Sequence, residues 1–444
     1  MEVQAKTFPG GVHVSHSKDR TEHLGIRKAL DPQKVVIPLH QHTGAPCEPL
    51  VKKGDRVLLG QKIGDSKSFV SAPVHASVSG TVTAVEPRPH PALLRGVMSV
   101  VIESDGLLEV DPSVTPRGDL DSLSPEQLKQ AIREAGIVGL GGAAFPTSVK
   151  VSPPKEKPVD TFLLNGAECE PYLTADHRLM LEEQGLIVYG MRALMKAAGV
   201  EKGIICIEDN KPDAIEAMSS AVADFPNLSV VAVRTKYPQG GEKQLIRAVL
   251  GREVPPPPGL PMDVGVVVNN VGTAAAVATA LRTGMPLVER VLTVTGSLVK
   301  EPANLRVRLG TSFKDLLDQC GGLTGEPVKI VAGGPMMGIA QYTTDVPAIK
   351  GTSGILALSE KDTVLDEATN CIRCGRCVRS CPMFLQPLYI RMYAEASRWD
   401  LVSRYSPANC IECGSCAYEC PARLPLVQWI KISKAELAAK KGGR

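Results

Sequence analysis

Eight of the twelve cysteines in this 444-residue chain fall into two runs with the same spacing. The runs read CIRCGRCVRSCP at 371–382 and CIECGSCAYECP at 410–421, so each follows the pattern C-x2-C-x2-C-x3-C-P. A [4Fe–4S] cube needs four thiolates, one for each iron, and three cysteines on a tight loop can reach three of its corners. The runs therefore predict two [4Fe–4S] clusters, whose chemistry is electron transfer.

The fourth thiolate of each predicted cluster has to come from outside its own loop. In two-cluster ferredoxins the fourth cysteine of each run binds the cluster of the other run. On this pattern one cluster is held by Cys371, Cys374, Cys377 and Cys420, and the other by Cys410, Cys413, Cys416 and Cys381. A zinc site or free thiols are the alternatives, but zinc usually takes separated C-x2-C pairs, which leaves two matched runs of four unexplained.

Clusters carry single electrons, so a relay that serves a hydride donor also needs a flavin. The glycine-rich stretch GIVGLGGAAFPTSVK at 136–150 formally matches the dinucleotide fingerprint at Gly139, Gly141 and Ala144. The match is weak because a helix precedes it where the fingerprint expects a strand, and a tightly packed loop would show the same glycines. Support comes from NGAECEPY, which ends a predicted strand, from YPQGGE at a predicted helix N-terminus, and from the two amides of VVNNVGT.

The elements that must position these residues form four predicted domains. Residues 1–112 alternate short apolar runs with turn signals, which predicts a small all-β domain similar to the barrel-sandwich fold of lipoyl and biotinyl domains. Lys67 lacks the flanking sequence of a carrier lysine, so we interpret it as a surface residue. Residues 113–254 alternate strands and helices, which predicts a Rossmann-like α/β domain with a largely parallel sheet.

Four prolines at 255–258 predict a stiff linker between this α/β domain and a third domain. The third domain, 259–355, begins with the VVNNVGT loop and continues with strands and a short helix. The fourth domain, 356–444, contains both cysteine runs. Between residues 361 and 444 there are 13 Lys and Arg against 8 Asp and Glu, a net charge of +5.

Composition excludes several classes of function. The net charge of +3 over the chain gives no support for nucleic-acid binding. The segment VGVVVNNVGTAAAVATAL is interrupted by two asparagines, whereas a membrane-spanning helix needs about 20 mostly apolar residues. The N-terminus lacks the basic-then-apolar pattern of a signal peptide, and clustered cysteines favour metal ligation over disulfides, so we expect a reducing cytoplasm.

Several motifs resemble those of known flavoproteins. GLGGAAFPTSVK, NGAECEP, YPQGGE and NNVGT resemble the flavin- and NADH-binding motifs of the 51-kDa subunit family of respiratory complex I. The order along the chain is FPGGVH, a barrel-sandwich domain, a flavin domain, a β-grasp (SLBB) module, GGPMMG and two cysteine runs. This order resembles the RnfC family, the NADH-binding subunits of Rnf electron-transport complexes, over nearly the whole chain.

The resemblance implies binding roles for particular residues. The residues implied to contact FMN are Gly139, Gly141, Lys150, Asn165, Glu168, Asn269, Asn270 and Thr273. The residues implied to hold NADH, by stacking or through the ribose hydroxyls, are Phe145, Glu170 and Glu242. The sequence departs from complex I at Leu140, Ala167 and Gly241, where that family has charged residues. We expect Asp176 and Arg178 to form a solvated pair.

The resemblance also implies a function. It is that of an NADH/NAD+ oxidoreductase subunit with FMN and two [4Fe–4S] clusters, in an ion-translocating ferredoxin:NAD+ oxidoreductase. The implied partners are other Rnf subunits, including membrane flavoproteins and a ferredoxin-type iron–sulfur subunit, with ferredoxin acting indirectly. The implied location is peripheral, on the cytoplasmic face of the cell membrane. The alternatives are an RnfC-like cobalamin reductase, against which the N-terminal position of the barrel-sandwich domain argues, and an electron-carrier or scaffold subunit with a degenerate flavin site.

Overall fold

The computed structural model describes residues 5–93, 95–363 and 367–442 and has the predicted multidomain α/β architecture. The N-terminal β domain consists of two small sheets, ordered β2-β8-β7-β4 and β3-β5-β6, around an apolar core that includes Val35, Ile37 and Ile102. Its strands, preceded by a β1 that joins another sheet, are β1 (Ile26–Lys28), β2 (Lys34–Pro38), β3 (Glu48–Pro49), β4 (Arg56–Val57), β5 (Lys62–Asp65), β6 (Val74–His75), β7 (Gly80–Arg88) and β8 (Val97–Ser104).

The predicted boundaries of this domain are too wide. The first strand pairs with the β-grasp sheet, and Lys6 and Val12 form bridges to Val233 and Tyr237 of the α/β domain. Residues before about 30 therefore pack on the later domains, because their backbone groups find partners at the open edges of those sheets.

The α/β domain is built on a parallel sheet of order β11-β10-β9-β12. Its first helix begins where the sequence predicts, since Ser124 and Gln127 form a reciprocal capping box. The elements are α1 (Pro125–Glu134), α2 (Thr147–Lys150), β9 (Thr161–Gly166), α3 (Ala175–Glu182), α4 (Gln184–Ala198), β10 (Lys202–Glu208), α5 (Pro212–Ala221), β11 (Leu228–Val233), α6 (Glu242–Leu250), β12 (Val266–Asn270) and α7 (Val271–Thr283).

The four prolines do not separate two domains. Strand β12 follows them and pairs in parallel with β9, while Val267 of β12 and Val271 and Ala274 of α7 are buried in the core of the α/β domain. The predicted boundary at 254–259 is therefore wrong, because a fully apolar strand finds its partner within the preceding sheet. The α/β domain ends after α7, whose C-cap Gly284 has a left-handed φ of 80°.

The β-grasp module has a six-stranded sheet of order β1-β14-β13-β17-β15-β16. Its last strand spans the predicted boundary at 355–356, so this boundary also has to move towards the C-terminus. The elements of the module are β13 (Glu289–Thr295), β14 (Ala303–Arg308), α8 (Phe313–Gln319), β15 (Lys329–Ala332), β16 (Ile339–Gln341) and β17 (Gly354–Leu358).

The C-terminal domain is helical and shows an internal repeat. In both cysteine runs the glycine after the second cysteine has a left-handed φ, 72° at Gly375 and 82° at Gly414, and begins a four-residue helix. Such a φ is readily adopted only by glycine, which explains why both runs have it there. The helices are α9 (Arg376–Arg379), α10 (Pro387–Glu395), α11 (Trp399–Arg404), α12 (Ser415–Tyr418) and α13 (Leu426–Gly442).

Short 3-10 helices occur at Leu120–Ser122, Pro261–Val264, Glu360–Asp362 and Pro407–Asn409. Among the residues that the structure describes, none of the helices combines the length and the apolar character needed to cross a bilayer.

A buried lysine joins three of the domains. Lys350 of the β-grasp module donates from Nζ to the carbonyl oxygen of Pro73 in the β domain, at 2.6 Å, and to that of Gly136 in the α/β domain, at 2.7 Å. Burial lowers its pKa to about 8. A buried cation with two carbonyl partners holds the three domains in a defined arrangement.

Candidate functional site

The ends of β9 and β12 lie side by side, with Asn165 opposite Asn270. In the order β11-β10-β9-β12 the strand order reverses between these two strands, and open α/β sheets bind ligands at the carboxyl ends of strands at such a point. The structure therefore brings NGAECEP and NNVGT together at the expected place for a ligand.

The two asparagines at the end of β12 differ in their partners. The Oδ1 atom of Asn270 caps α7 by accepting from the amides of Gly272, at 2.9 Å, and Thr273, and its Nδ2 donates to Asp176 at 2.6 Å. Asn269 is also buried, but its Nδ2 has no hydrogen-bond partner among the described residues. Buried polar groups are nearly always paired, so Asn269 has an unused donor at the switch point.

The glycine loop lies directly against this pair of strand ends. The amide of Leu140 donates to Oγ1 of Thr273 at 2.9 Å, and the amide of Gly139 donates to the carbonyl of Phe145 at 2.9 Å. A Cβ atom on Gly141 would stand 2.8 Å from Nδ2 of Asn270. Glycine is thus required at 141 for the loop to approach the switch point so closely.

Asn165 connects this crevice to YPQGGE. Its Nδ2 donates to the carbonyl of Gly240 at 2.9 Å, and its Oδ1 accepts from the amide of Ala167. Cys169 also faces YPQGGE, since the amide of Gly240 donates to its Sγ at 3.3 Å. Burial raises the pKa of the Cys169 thiol, which fits a packing role.

The carboxylate of Glu168 is engaged by protein groups. It accepts from the amides of Asp176, at 2.7 Å, and His177, at 3.2 Å, at the start of α3, and Nζ of Lys18 lies 3.9 Å away. The side chain of Glu168 is 6% exposed. The structure gives this predicted FMN residue a role in holding α3 against the end of β9.

Asp176 is a site residue that sequence reasoning missed. The predicted solvated pair with Arg178 is wrong, because Arg178 pairs with Glu182 and Asp176 bonds to Asn270. Burial and then the neighbouring Glu168 raise the pKa of Asp176. Its position in the first turn of the helix that follows β9 is the one signal in the sequence that could have indicated this role.

Lys150 and Glu242 form an ion pair with an Nζ–Oε2 distance of 2.5 Å. The resemblance placed the lysine with FMN and the glutamate with NADH. The structure brings them together between α2 and the N-terminus of α6, and both side chains retain about a third of their exposure, at 27% and 35%. These two predicted contacts therefore belong to one small region.

Glu170 faces the β-grasp module and not the open crevice. Its carboxylate accepts from the amides of Met336, at 3.1 Å, and Met337, at 2.9 Å, in the GGPMMG turn. A Cβ atom on Gly334 would stand 2.2 Å from a carboxylate oxygen of Glu170. Burial raises the pKa of Glu170 to about 7. Phe145, also predicted to contact NADH, is half-buried in the glycine loop.

Each predicted set of cysteines surrounds one cavity. The first-run site, named after the run that supplies three of its four cysteines, has a cavity of about 350 Å³ lined by Cys371, Cys374, Cys377 and Cys420. The second-run site has a cavity of about 330 Å³ lined by Cys381, Cys410, Cys413 and Cys416. The fourth cysteine of each run thus lies at the other run's cavity. Among the described residues, no three His, Cys, Asp or Glu side chains are arranged to hold a single metal ion.

The two sites differ in burial. Cys371 and Cys374 of the first-run site are exposed, whereas Cys381, Cys413 and Cys416 of the second-run site are buried. Burial raises the pKa of the Cys410 thiol to about 11. Metal ligation by these thiols requires their deprotonation, so binding would release protons.

The second-run site is also the one that contacts the flavin domain. Cys413 packs in an apolar cluster with Tyr237 and with Met336 of the GGPMMG turn, and Cys169 lies at its edge. A Cβ atom on Gly414 would stand 2.9 Å from the carbonyl oxygen of Met336. Nε2 of Gln244, two residues after Glu242, lies 3.1 Å from Sδ of Met383 in the loop after Cys381.

Four family models match the chain in succession. They are the RnfC barrel sandwich hybrid domain at residues 6–107, the Nuo51 FMN-binding domain at 132–279, the SLBB domain at 291–340 and the 4Fe-4S dicluster domain at 370–424. The predicted fold class is thereby confirmed. The chain contains an FMN-binding domain, whose match extends through β12 and most of α7, and a 4Fe-4S dicluster domain.

Full-length relatives extend this result. The chain is 52% identical, over 99% of both chains, to the RnfC-type component of the Na(+)-translocating ferredoxin:NAD(+) oxidoreductase complex of Acetobacterium woodii. It is 50% identical, over 97% of this chain and 94% of the relative, to the corresponding component of the proton-translocating ferredoxin:NAD(+) oxidoreductase complex of Clostridium ljungdahlii. The chain belongs to the RnfC family of ion-translocating ferredoxin:NAD+ oxidoreductase complexes.

A likeness of fold extends to more distant proteins. The solved structure of the NAD+-reducing [NiFe]-hydrogenase in the air-oxidized state aligns with a TM-score of 0.50 and 18% identity, over 73% of this chain and 68% of that chain. At this level of identity the comparison shows the fold alone.

Proposed function

We propose that this chain exchanges hydride between NAD(H) and FMN and passes single electrons to two [4Fe–4S] clusters, as the NAD(H)-facing subunit of an ion-translocating ferredoxin:NAD+ oxidoreductase. The observation that carries the proposal is the contact between the ligand crevice of the α/β domain and the second-run site, through YPQGGE and Cys413. When bound, FMN supplies the conversion of a hydride into two single electrons.

The residues at the switch point fit a flavin mononucleotide. Gly139 and Gly141 leave open backbone, and the unpartnered Nδ2 of Asn269 offers a hydrogen bond. Lys150 supplies a cation at the same side of the domain and could neutralise a phosphate group. In this proposal Asn165, Asn270, Thr273 and Glu168 shape the crevice through their bonds to protein groups.

We place the NADH site beside Phe145 and Glu242. The carboxylate of Glu242 sits at the first position of α6, where the helix dipole favours negative charge, and it can accept from ribose hydroxyls. Glu170 would act one step away, by holding the GGPMMG turn against the second-run site.

The order of electron flow follows from the same contacts. The second-run site contacts the α/β domain, so we assign to it the cluster that exchanges electrons with the flavin. The first-run site shares an apolar cluster with it, in which Cys416 packs with Cys377, Cys420 and Leu424. Two exposed cysteines then turn the first-run site towards an external partner.

The surface beside the first-run site is basic and partly apolar. Arg373, Arg376 and Arg379 are exposed, and Ile372 is 70% exposed. None of the three arginines forms an ion pair with a residue in the described part of the chain. We propose that an acidic redox subunit of the complex docks here, from among the membrane flavoproteins and the ferredoxin-type subunit, which would place this chain peripherally on the cytoplasmic face of the membrane.

The proposal is tested with anaerobically purified full-length protein. We expect a flavin absorbance band that NADH bleaches, and about eight irons per chain, four for each cube. Asn269→Ala should weaken flavin retention, while Asn227→Ala, at an exposed asparagine outside the crevice, should not. A folded protein with its irons but without flavin would contradict the proposal and favour the electron-carrier alternative.

A further inference from the structure

We infer that the N-terminal segment of residues 8–16, FPGGVHVSH, forms part of the second-run site, where it holds the Cys381 loop and excludes water from the cluster. We call this segment the strap. The inference rests on the proposed function, because it assumes that the second-run site holds a cluster. It adds a positioning element that lies more than 360 residues from the cysteines it supports, outside both runs.

The strap contacts the backbone of the Cys381 loop directly. The amide of Gly11 donates to the carbonyl of Ser380 at 2.9 Å. A Cβ atom on Gly10 would stand 2.9 Å from the carbonyl oxygen of Cys381, and Gly10 has a left-handed φ of 79°. Both the backbone conformation and the close approach therefore require glycine at this position.

The other edge of the strap is bonded to the flavin domain. Val12 and Tyr237 exchange two backbone hydrogen bonds, of 2.8 and 2.9 Å, and His16 accepts one from the amide of Tyr172 at 2.8 Å. The strap thus ties YPQGGE and the loop after β9 to the Cys381 loop. It spans the boundary that electrons would cross between flavin and cluster.

The side chains of the strap cover the second-run site. Val12 and Val14 are buried, at 3% and 7% exposure, in the apolar cluster that contains Cys413 and Tyr237. The potential of an iron–sulfur cluster depends on its exposure to solvent and on hydrogen bonds to its sulfurs. Removal of this cover should change the potential and the air sensitivity of one cluster only.

Gly10→Ala, with Gly106→Ala as the matched control, tests this inference. Gly106 has a similar φ of 72°, but a Cβ atom there would meet nothing within 4 Å. The control therefore reports the cost of backbone strain without the contact to Cys381. Iron content, flavin content and an EPR-monitored redox titration of each cluster are measured on full-length protein.

We expect Gly10→Ala to lose the second-run cluster, or to shift its midpoint potential and bleach it in air several-fold faster, with the first-run cluster and the flavin unchanged. Val12→Ala should act in the same direction more weakly, because it opens a small cavity beside Cys413 without backbone strain. This second variant decides the question if Gly10→Ala fails to fold.

Equal changes in both clusters would overturn the inference, and so would identical behaviour of Val12→Ala, Gly10→Ala and the wild type. These results are distinct from a failure of the proposed function, which would appear in the wild type as missing flavin or missing irons. A potential is the deciding readout because a purely structural role of the strap would lower occupancy without moving the potential of the clusters that remain.

Discussion

The first-run and second-run sites have identical cysteine spacing and very different surroundings. The second-run site is enclosed by three distant segments, namely the strap, YPQGGE and the GGPMMG turn. The first-run site is lined by residues of its own domain and has two exposed cysteines. The comparison teaches that the spacing selects the ligands, whereas the segments packed on each site select its position in the relay. We refer to the second-run site as inner and the first-run site as outer.

The largest expected effect comes from exchanging the crossed ligands. Cys381→Ala should remove the inner cluster, and Cys420→Ala the outer one, so that each variant retains about four of eight irons. EPR spectra of the reduced variants identify the cluster that remains. Retention of the inner signal in Cys381→Ala would show that each run binds its own fourth cysteine, and the inner and outer assignment would then lose its basis.

A change on the flavin side should leave both clusters intact. Glu242→Ala should weaken NADH binding about tenfold or more, because a hydrogen bond to a charged group contributes roughly 1.5–3 kcal/mol. FMN should be retained, since Lys150 loses its partner and stays available to a phosphate. Anaerobic titration of flavin bleaching with NADH measures the affinity.

Glu216→Ala, at an exposed glutamate of α5, is the matched control for this change and should bind NADH normally. Loss of flavin from Glu242→Ala would assign this residue to the FMN site instead. Unchanged NADH affinity would reject its nucleotide role.

The inner site should respond to pH through Glu170. Its pKa is raised to about 7 in the folded chain, mainly by burial, so the native state holds a proton that the unfolded state has released above about pH 4.5. Stability should therefore fall as pH rises from about 4.5 through 7, by about 1–2 kcal/mol for this half-buried group. Thermal unfolding midpoints between pH 5 and 8 measure the effect.

Glu170→Gln should flatten this dependence, because the amide retains an acceptor for the Met336 and Met337 turn and does not titrate. An equal pH dependence in the variant and the wild type would mean that Glu170 keeps an ordinary pKa.

The smallest expected effect concerns the surface of the outer site. The double variant Arg373→Glu and Arg376→Glu should slow electron transfer to the membrane subunits several-fold at low salt, since surface charge acts mainly on association rates. NADH bleaching of the flavin should be unchanged. Lys52→Glu with Lys53→Glu, an equal charge change on the β domain, is the control, and equal slowing by both pairs would remove the docking surface from the outer site.

Local patterns predicted most of the elements and the cysteine sets. The capping box at Ser124, the strand β10 and the glycine after the second cysteine of each run depend on neighbours along the chain, so the sequence shows them. The contacts of Glu170, Asp176 and the strap could not be predicted, because each depends on a partner more than 90 residues away or on a crevice between strands. The placement of β12 failed for the same reason.

The most direct test of the inner and outer order is rapid-freeze EPR of NADH-reduced variants that each lack one cluster. In Cys374→Ala, which removes an outer ligand, NADH should reduce the inner cluster at the wild-type rate. In Cys413→Ala, which removes an inner ligand, the flavin should still bleach and dithionite should still reduce the outer cluster, but NADH should reduce it far more slowly. Reduction of the outer cluster by NADH at the wild-type rate in Cys413→Ala would contradict the order.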